Sequence, residues 1–365
     1  MKDKNNTVLV AMSGGVDSSV AALLLKNKGF IVKGITMKFM PEDSGTAHYK
    51  DAEKVASILG IPHFTIDASQ EFKKTVIDKF CDEYKTGRTP NPCIHCNRHM
   101  KFKILKKIAE EQDAGFIASG HYARIVHDRE TDIYFLKRAI NEKKDQSYFL
   151  YMLNQTILQK TLLPLGSLTK DKVRSIAKDN YLPVFEKEES QEICFIDGKD
   201  YRKLFKECSA PGPIINREGK VLGTHTGIVD YTIGQRRGLG VATGKPLYVT
   251  DIDSEKNVIV VGSGDEAYHD QLITEEVNWI SHPLKTETEV FAKIRSVHRA
   301  AKAKLIPLTN SKVELHFFEP QWAVAPGQSA VFYDGDTVVG GGIIESASRI
   351  NIHSSKQTGS GLPAG

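Results

Sequence analysis

A short apolar run that ends in two glycines constrains the fold of this 365-residue chain more than any other feature. Residues 8–12 predict a buried strand, the loop Ser-Gly-Gly-Val-Asp-Ser follows at residues 13–18, and a helix pattern then runs to Lys28. Gly14 and Gly15 permit a sharp turn that directs backbone N–H groups toward an anion at a helix start. The chain therefore begins with a strand, an anion-binding loop and a helix.

Strand and helix signals alternate through the first third of the chain. Further strands are predicted at residues 31–38, 63–66 and 116–119, and further helices at residues 51–59, 70–84 and 98–112. Strands that alternate with helices are typical of a parallel sheet covered on both faces. We therefore predict an α/β fold built on a doubly wound parallel sheet.

The sequence texture changes at Ala-Pro-Gly-Pro, residues 210–213. Helical signals at 169–180 and 199–207 precede it, and short apolar or alternating runs follow it. Such runs, separated by Gly, Asp and Asn, are typical of small β-rich modules or barrels. We predict an α/β domain, a central β-rich domain, a C-terminal β-barrel and a disordered tail, over residues 1–208, 209–272, 273–353 and 354–365.

Charge and hydropathy restrict the class of protein only broadly. The 49 Lys and Arg residues against 45 Asp and Glu give a net charge of +4, which neither requires nor excludes a nucleic-acid partner. No run approaches the ~20 apolar residues of a membrane-spanning helix, and the first seven residues are polar. We expect a cytoplasmic protein without a membrane anchor.

Three of the five cysteines are candidates for chemistry. Cys93 and Cys96 form a Cys-x-x-Cys pair, and Cys194 lies about a hundred residues further along, whereas we assign Cys81 and Cys208 to structure. Residues 85–107 around the pair contain seven Lys or Arg, two His and no carboxylate. Because cations and helix starts lower a cysteine pKa, we expect thiolates here, as nucleophiles or metal ligands.

The loop at residues 13–18 predicts a nucleotide site. It lacks the Gly-Lys of a Walker loop, and Asp17 within it suits a magnesium ion that bridges phosphates. The loop resembles that of the ATP pyrophosphatases, which adenylate a carbonyl oxygen and release pyrophosphate. A glycine turn without any ligand is the alternative.

Several longer sequence segments resemble those of the bacterial tRNA-specific 2-thiouridylases (tRNA-uridine 2-sulfurtransferases). The resemblance covers about residues 7–350 and is carried by residues 12–18, 87–102, 118–123, 144–150, 192–196, 232–240 and 326–333. It implies a PP-loop ATP pyrophosphatase domain over residues 1–208. It also implies ATP-dependent 2-thiolation of the wobble uridine, position 34, in the tRNAs for Lys, Glu and Gln. O2 is adenylated with release of pyrophosphate, and sulfur then enters at C2.

The same resemblance implies roles for individual residues. ATP contacts fall on Ala11, Met12, Ser13, Gly14, Gly15, Val16, Asp17, Ser18, Met37 and Gly120. Cys194 would carry a persulfide and Cys96 would be its catalytic counterpart. Contacts with the target base or with other parts of tRNA fall on Asn91, Pro92, Cys93, His121, Lys144, Asp145, Gln146, Arg295, Ser296 and Gln328.

Two of the candidate RNA contacts have structural alternatives. His121 is equally consistent with a hydrogen-bonded histidine at a strand end. Arg236 and Arg237 stand among glycines, where the backbone can approach RNA, but a solvated turn has the same composition.

Cys93 departs from the commoner family pattern, in which Asp stands at this position, so a proposed acid–base carboxylate is missing. The departure leaves two mechanisms open. Either a partner protein, a cysteine desulfurase or relay, loads Cys194 with a persulfide, or Cys93, Cys96 and Cys194 hold a 4Fe–4S cluster that presents inorganic sulfide.

Three rival functions are consistent with parts of the sequence. An ATP-dependent amide synthase shares the loop but has no need of three aligned cysteines. A thiolase of another tRNA base shares both the loop and the cysteine pair. An RNA-binding module without catalytic activity would hold a structural ion and would not consume ATP.

Overall fold

The computed structural model describes residues 6–40, 48–187, 193–196, 200–205, 210–241, 244–309 and 311–349. Its first unit is a five-stranded parallel sheet with the strand order β3-β2-β1-β4-β7. These strands are β1 (Thr7–Ala11), β2 (Ile31–Lys38), β3 (His63–Asp67), β4 (Phe116–Ala118) and β7 (Thr161–Leu162). The predicted doubly wound parallel sheet is therefore confirmed.

Helices cover both faces of this sheet. They are α1 (Val16–Asn27), α2 (His48–Leu59), α3 (Ser69–Phe72), α4 (Asp78–Lys85), α5 (Pro92–Cys96), α6 (Phe102–Glu111), α7 (Gln155–Leu158) and α8 (Lys170–Asp179). One face buries Val20 and Ala21 of α1 with Val173 of α8, whereas the other buries Phe72, Phe80 and the residues around Met100. The two separate apolar clusters explain why β1 is apolar at every position after Thr7.

Single π-helical turns interrupt two of the helical segments. One turn, Lys73–Ile77, links α3 to α4, and the other, Asn97–Lys101, links α5 to α6. The prediction of a helix from residue 98 is wrong at its start, because helical backbone begins at Pro92. Asn91 caps this helix by accepting a hydrogen bond from Ile94 N at 3.4 Å, and proline is favoured at the first helical position.

The second half of the chain forms two β units. A four-stranded sheet has the order β10-β11-β8-β9, and six strands close a barrel in the order β12-β15-β14-β13-β16-β17, in which β17 pairs with β12. The strands are β8 (Gly212–Ile215), β9 (Val221–His225), β10 (Tyr248–Asp253), β11 (Val258–Gly262), β12 (Tyr268–Trp279), β13 (Thr288–Lys293), β14 (Ala301–Pro307), β15 (Val313–Trp322), β16 (Ser329–Asp334) and β17 (Thr337–Ser348). The predicted β-rich modules and barrel are confirmed.

A hairpin from the first half of the chain extends the barrel sheet. β5 (Ala123–Asp128) and β6 (Ile133–Arg138) pair with each other, and Lys137 of β6 pairs with Thr337 of β17. Arg124 and Lys137 both contact Asp336, at 2.6 and 3.0 Å. Residues 123–138 therefore lie within the predicted first domain but belong to the sheet of the barrel.

The parallel sheet and the barrel share one apolar core. Tyr148 and Tyr151 are fully buried; the Tyr148 hydroxyl donates to Ser329 O at 2.9 Å, and the Tyr151 hydroxyl lies 3.0 Å from Ser329 Oγ. Val331 and Val338 of the barrel belong to the same buried cluster as the residues around Met100. The barrel is thus fixed against the helix that carries the cysteine pair.

No helix in the described ranges is both long and apolar enough to cross a membrane. The predicted tail at residues 354–365 lies outside the described residues, as does Cys208.

A glycine in the barrel contacts the segment that precedes the cysteine helix, and we predict that its substitution destabilises this joint. A Cβ on Gly327 would lie 2.9 Å from Thr89 N and 3.0 Å from Arg88 Cβ. We expect Gly327→Ala to lower the free energy of unfolding by about 1–3 kcal/mol, measured by urea denaturation.

Gly335→Ala is the matched control for this change. Gly335 also has a positive φ, 55° against 88° for Gly327, but a Cβ there would meet nothing within 4 Å. Equal urea midpoints for the two variants would show that the contact with Thr89 does not matter.

Candidate active site

The candidate site lies at the carboxyl edge of the parallel sheet, where the chain changes direction across it. From β1 the chain proceeds outward through β2 and β3, then returns to place β4 on the other side of β1. The loops after β1 and β4 consequently diverge from a common point, which is where ligands bind in open α/β sheets.

The loop after β1 is closed by its own side chains. Gly14 has φ 70°, and the Ser18 hydroxyl accepts a hydrogen bond from Ser13 N and donates to Gly15 O, both at 3.2 Å. Ser19 Oγ also donates to Gly15 O, at 2.8 Å. These bonds fix the loop at the start of α1, as an anion cradle requires.

Gly120 is the contact point between the two loops. A Cβ at this position would lie 2.7 Å from both Asp17 C and Ser18 N, so only glycine fits without moving the start of α1. The predicted ATP contact Gly120 is thus next to the predicted phosphate loop.

Asp17 forms the strongest polar contacts of the loop. Its carboxylate accepts from Lys170 Nζ at 2.7 and 2.8 Å and from the Tyr122 hydroxyl at 2.7 Å. The Lys170 side chain is only 9% exposed and begins α8, 153 residues away in sequence. Neither residue is among the predicted site residues: Lys170 lies outside every motif, and Tyr122 lies within the resembling segment 118–123 without a role of its own.

The β2 side of the loop is held by a short hydrogen-bond chain. The Thr36 hydroxyl donates to Met12 O at 2.8 Å, so it must accept at 2.9 Å from His63 Nε2. Burial lowers the pKa of His63, which is consistent with a neutral ring in this role. Met37, a further predicted ATP contact, is buried on the same strand as Thr36.

The cysteine helix, α5, supplies two thiols one turn apart. Cys93 is exposed, and Cys96, one turn later, is 8% exposed. Beyond them, the Lys101 ammonium acts electrostatically on both cysteines and on His121, while the ring of Phe102 lies 5.9 Å from that of His121. His121 directly follows Gly120, so the thiols and the phosphate loop are linked through residues 101–102 and 120–121.

Cys194 lies close enough to this pair to interact with it electrostatically. Both Cys96 and Cys93 contribute to raising its pKa. Its neighbour Phe195 is buried and packs edge-on against Phe72 and Phe80, with ring centroids 5.8 and 5.3 Å apart. The fold therefore brings Cys194 close to a cysteine pair that lies about a hundred residues earlier in the sequence.

The expected thiolate character is not found. Burial raises the pKa of Cys93 and Cys96, and burial with the two neighbouring thiols raises the pKa of Cys194 to about 12. The lowering effect of Lys101 is smaller than desolvation in each case. Cys93 and Cys194 are nevertheless accessible to solvent.

The three cysteines do not form a metal site in this arrangement. Within the described ranges, no group of three or more His, Cys, Asp or Glu side chains is placed to hold a metal ion. Asp17, the predicted magnesium ligand, pairs with Lys170 in this structure. The residues thus do not fit the predicted 4Fe–4S cluster.

The predicted RNA contacts at residues 144–146 are largely engaged within the protein. Asp145 accepts from Ala139 N at 3.0 Å and from Ser147 N at 3.1 Å, and Gln146 Oε1 accepts from Tyr122 N at 2.9 Å. Lys144 is half-buried at the end of a 3-10 turn.

His121, Arg295 and Gln328 also have partners within the protein. The His121 ring lies 2.8 Å from Ser119 Oγ, and burial lowers its pKa well below the usual value, so the ring is neutral. Arg295 Nη2 donates to the carbonyl oxygens of Ile233 and Ala323 at 3.0 and 2.9 Å, with the half-buried Ser296 beside it. Gln328 Nε2 donates to Thr89 O at 2.8 Å.

The basic segment at residues 85–107 is less free than its sequence indicates. Arg88 contacts Glu83 at 2.7 Å and Glu275 at 2.8 Å, and Arg98 contacts Glu276 at 3.6 Å. The positive field expected from the absence of local carboxylates is therefore partly cancelled by carboxylates of α4 and β12. Cys81 is half-buried on α4, in line with a structural role.

Family comparisons cover nearly the whole chain. Residues 6–198 match the family described as the tRNA methyl transferase HUP domain, residues 205–263 its PRC-barrel domain, and residues 269–344 the aminomethyltransferase beta-barrel domain. A tRNA-specific 2-thiouridylase, MnmA 2 of Caldanaerobacter subterraneus subsp. tengcongensis, is 49% identical over 94% of this chain and 98% of its own. The MnmA of Clostridium acetobutylicum is 46% identical over 93% and 100%.

A solved structure is similar only at a low level. The U34-tRNA thiolase NcsA from Methanococcus maripaludis, with its 4Fe–4S cluster, is 21% identical and gives a TM-score of 0.35 over 54% of this chain and 62% of that one. This similarity is too weak to transfer the cluster.

The effect of Lys101 on the three cysteines can be tested by alkylation. Lys101→Gln removes a positive charge that favours the thiolate, so the pKa of Cys93, Cys96 and Cys194 should rise. We expect iodoacetamide to label these cysteines roughly two- to fivefold more slowly at about pH 8. Mass spectrometry of the labelled peptides measures each site separately.

Lys103→Gln is the control, since Lys103 is exposed on the same helical segment and does not shift the pKa of these thiols. Equal slowing by both variants, or none with Lys101→Gln, would contradict the role of Lys101.

Proposed function

This chain belongs to the MnmA family of tRNA-specific 2-thiouridylases, and from that premise we propose how its residues exchange O2 of a tRNA wobble uridine for sulfur. The substrates would be the tRNAs for Lys, Glu and Gln, and the reaction would take place in the cytoplasm. ATP would activate the base, and cysteine-bound sulfur would replace the oxygen.

One observation supports this function above the others. The three thiols interact electrostatically with Lys101, and so does His121, which directly follows Gly120 at the loop of residues 13–18. An amide synthase would use the loop alone. This proximity supports a site in which the nucleotide loop and the thiols act on the same base.

The first step is adenylation. O2 of uridine attacks the α-phosphorus of ATP, the bond to the bridging oxygen breaks, and pyrophosphate leaves with that electron pair while the base loses its N3 proton. The base becomes reactive because AMP is a far better leaving group than oxide. We assign the nucleotide to Ala11, Met12, the loop of residues 13–18, Met37 and Gly120.

The second step is sulfur transfer. The terminal sulfur of a Cys194 persulfide adds to C2, and AMP leaves with the electron pair of the C2–O2 bond. Cys96 then attacks Sγ of Cys194, which breaks the persulfide bond, leaves sulfur on the base and forms a Cys96–Cys194 disulfide. A small-molecule or protein thiol must reduce this disulfide before the next turnover.

Burial of the thiols has a consequence for this step. Cys96 is neutral near pH 7, so it must lose its proton as it attacks, and Lys101 is the cation that favours the resulting anion. Cys194 is accessible to solvent, so a sulfur-donor protein can load it. His121 is neutral and can accept a hydrogen bond or donate one without adding charge.

We propose Mg²⁺ as the partner of ATP. In nucleotide sites Mg²⁺ takes one or two carboxylates together with phosphate oxygens and water, and it neutralises phosphate charge. Asp17 is the carboxylate of the loop and would provide such a ligand after leaving Lys170. The 4Fe–4S alternative has less support, since the cysteines are not arranged as a ligand set.

For RNA binding we retain Asn91, Pro92 and Cys93 as contacts of the target base. A wobble base in a single-stranded loop leaves its stack easily, which the reaction requires. The half-buried Lys144 and the exposed Arg236 and Arg237 are suited to contact phosphates.

Cysteine variants test the two-step mechanism. We expect Cys96→Ser and Cys194→Ser to abolish 2-thiouridine in digested tRNA, because each removes a sulfur that the transfer needs. Release of pyrophosphate from ATP and tRNA should continue in both. Cys81→Ser is the control and should form 2-thiouridine at the rate of the unaltered protein.

Substitution of Cys93 distinguishes the persulfide mechanism from a mechanism that uses a 4Fe–4S cluster. We expect Cys93→Asp, and anaerobically purified protein without iron, to remain active with a sulfur-donor protein. Two results together would contradict the persulfide mechanism and support the 4Fe–4S cluster: loss of thiolation in Cys93→Asp, and stoichiometric iron and sulfide in the unaltered protein.

The loop of residues 232–240 provides a test of RNA binding. Replacing both Arg236 and Arg237 by Gln should weaken tRNA binding and reduce the slope of log K against log salt by about 1 for each lost phosphate contact. Lys33→Gln, in the amino-terminal half of β2, is the control. An unchanged salt slope in the double variant would identify this loop as a solvated turn.

A further inference from the structure

Two lysines from the segment after the last strand of the parallel sheet lie beside the phosphate loop. Lys170 and Lys187 are 153 and 173 residues from their partners Asp17 and Gly14. We propose that these two side chains bind the β- and γ-phosphates of ATP and hold the pyrophosphate that leaves. This inference rests on the proposed function, because it concerns the nucleotide of that same reaction.

Lys170 is positioned by helix geometry and by burial. It is the first residue of α8, and Thr169 caps the helix by accepting from Lys172 N at 3.3 Å. α8 packs against α1 through the buried Val173 and Ala177. Since α1 begins directly after the loop, the Lys170 ammonium is fixed at the loop entrance, with Nζ 2.7 Å from Asp17 Oδ1.

Lys187 approaches the same loop from the other end of this segment. Its Nζ donates to Gly14 O at 3.1 Å and to Asp51 Oδ2 of α2 at 2.6 Å. Arg174 of α8 holds the backbone of this region by donating to the carbonyl oxygens of Phe185 and Lys187, at 2.7 and 3.2 Å. Both lysines therefore depend on α8 for their placement.

The charge pattern indicates a polyphosphate as the ligand. The loop has no lysine of its own, whereas a Walker loop carries one that contacts the β- and γ-phosphates. Here each of two ammonium groups is held at the loop by one carboxylate, Asp17 for Lys170 and Asp51 for Lys187. A triphosphate carries enough negative charge to compete with both carboxylates.

During adenylation the two lysines would stabilise the leaving group, pyrophosphate. As the bond between the α-phosphorus and the bridging oxygen breaks, its electron pair moves onto pyrophosphate. Ammonium groups at the β- and γ-phosphates stabilise this added charge, and the group that remains on the base, AMP, does not need them. A lysine that exchanges Asp17 for a phosphate also leaves that carboxylate available to a cation.

Binding of phosphate compounds distinguishes this role from a purely structural ion pair. Isothermal titration calorimetry with inorganic pyrophosphate, ATP and AMP, in the presence of Mg²⁺, gives three dissociation constants for each full-length variant. We expect Lys170→Gln and Lys187→Gln to weaken pyrophosphate and ATP binding by about tenfold or more each. AMP binding should stay within about twofold, and Lys170→Arg should recover part of the loss.

Lys172→Gln is the matched control, because Lys172 is exposed on the first turn of the same helix. It should leave all three dissociation constants unchanged. Thermal unfolding of each variant reports whether α8 and the loop remain folded.

Two outcomes would overturn the inference. One is unchanged pyrophosphate affinity in both Gln variants; the other is a parallel loss of AMP and pyrophosphate affinity, which would make the lysines structural supports of the loop. If the unaltered protein bound no ATP and released no pyrophosphate with tRNA, the proposed function itself would fail.

Discussion

The reversal of strand order between β1 and β4 is the constraint on which the candidate site depends. The reversal separates the loops after β1 and β4 at the carboxyl edge of the sheet. At Gly120 the two loops still approach so closely that an added Cβ would lie 2.7 Å from the start of α1. Tyr122, two residues further, reaches Asp17 across this contact. The nucleotide loop and the segment that leads to the thiols are thereby parts of one rigid edge.

Local patterns in the sequence predicted the parts of this arrangement that depend on neighbours in the chain. The strand at residues 31–38, the glycine loop and the helix after it follow from apolar periodicity and turn chemistry alone, although α1 begins two residues earlier than predicted. The start of the cysteine helix was predicted too late, although Asn-Pro at residues 91–92 is the signal of a capped helix. The hairpin at residues 123–138 was missed because its partner strand lies 200 residues away.

The charge state of the site could not be predicted from composition. Residues 85–107 carry no carboxylate, but the fold brings Glu83, Glu275 and Glu276 to the arginines of that segment. The same burial that assembles the three thiols also raises their pKa, against the effect of Lys101. Sequence spacing reports which groups are present, whereas desolvation depends on everything packed around them.

The joint between the barrel and the cysteine helix limits how this protein can be divided. Thr89 N donates to Pro326 O, Thr89 O accepts from Gln328 Nε2, and the buried hydroxyls of Tyr148 and Tyr151 form hydrogen bonds with Ser329. Removing the barrel would leave these polar groups without their hydrogen-bond partners and would expose the rings of Tyr148 and Tyr151 to solvent. The α/β domain is therefore not expected to fold stably when the chain is truncated before the barrel. Changes in length are better tolerated at the surface turns of the barrel.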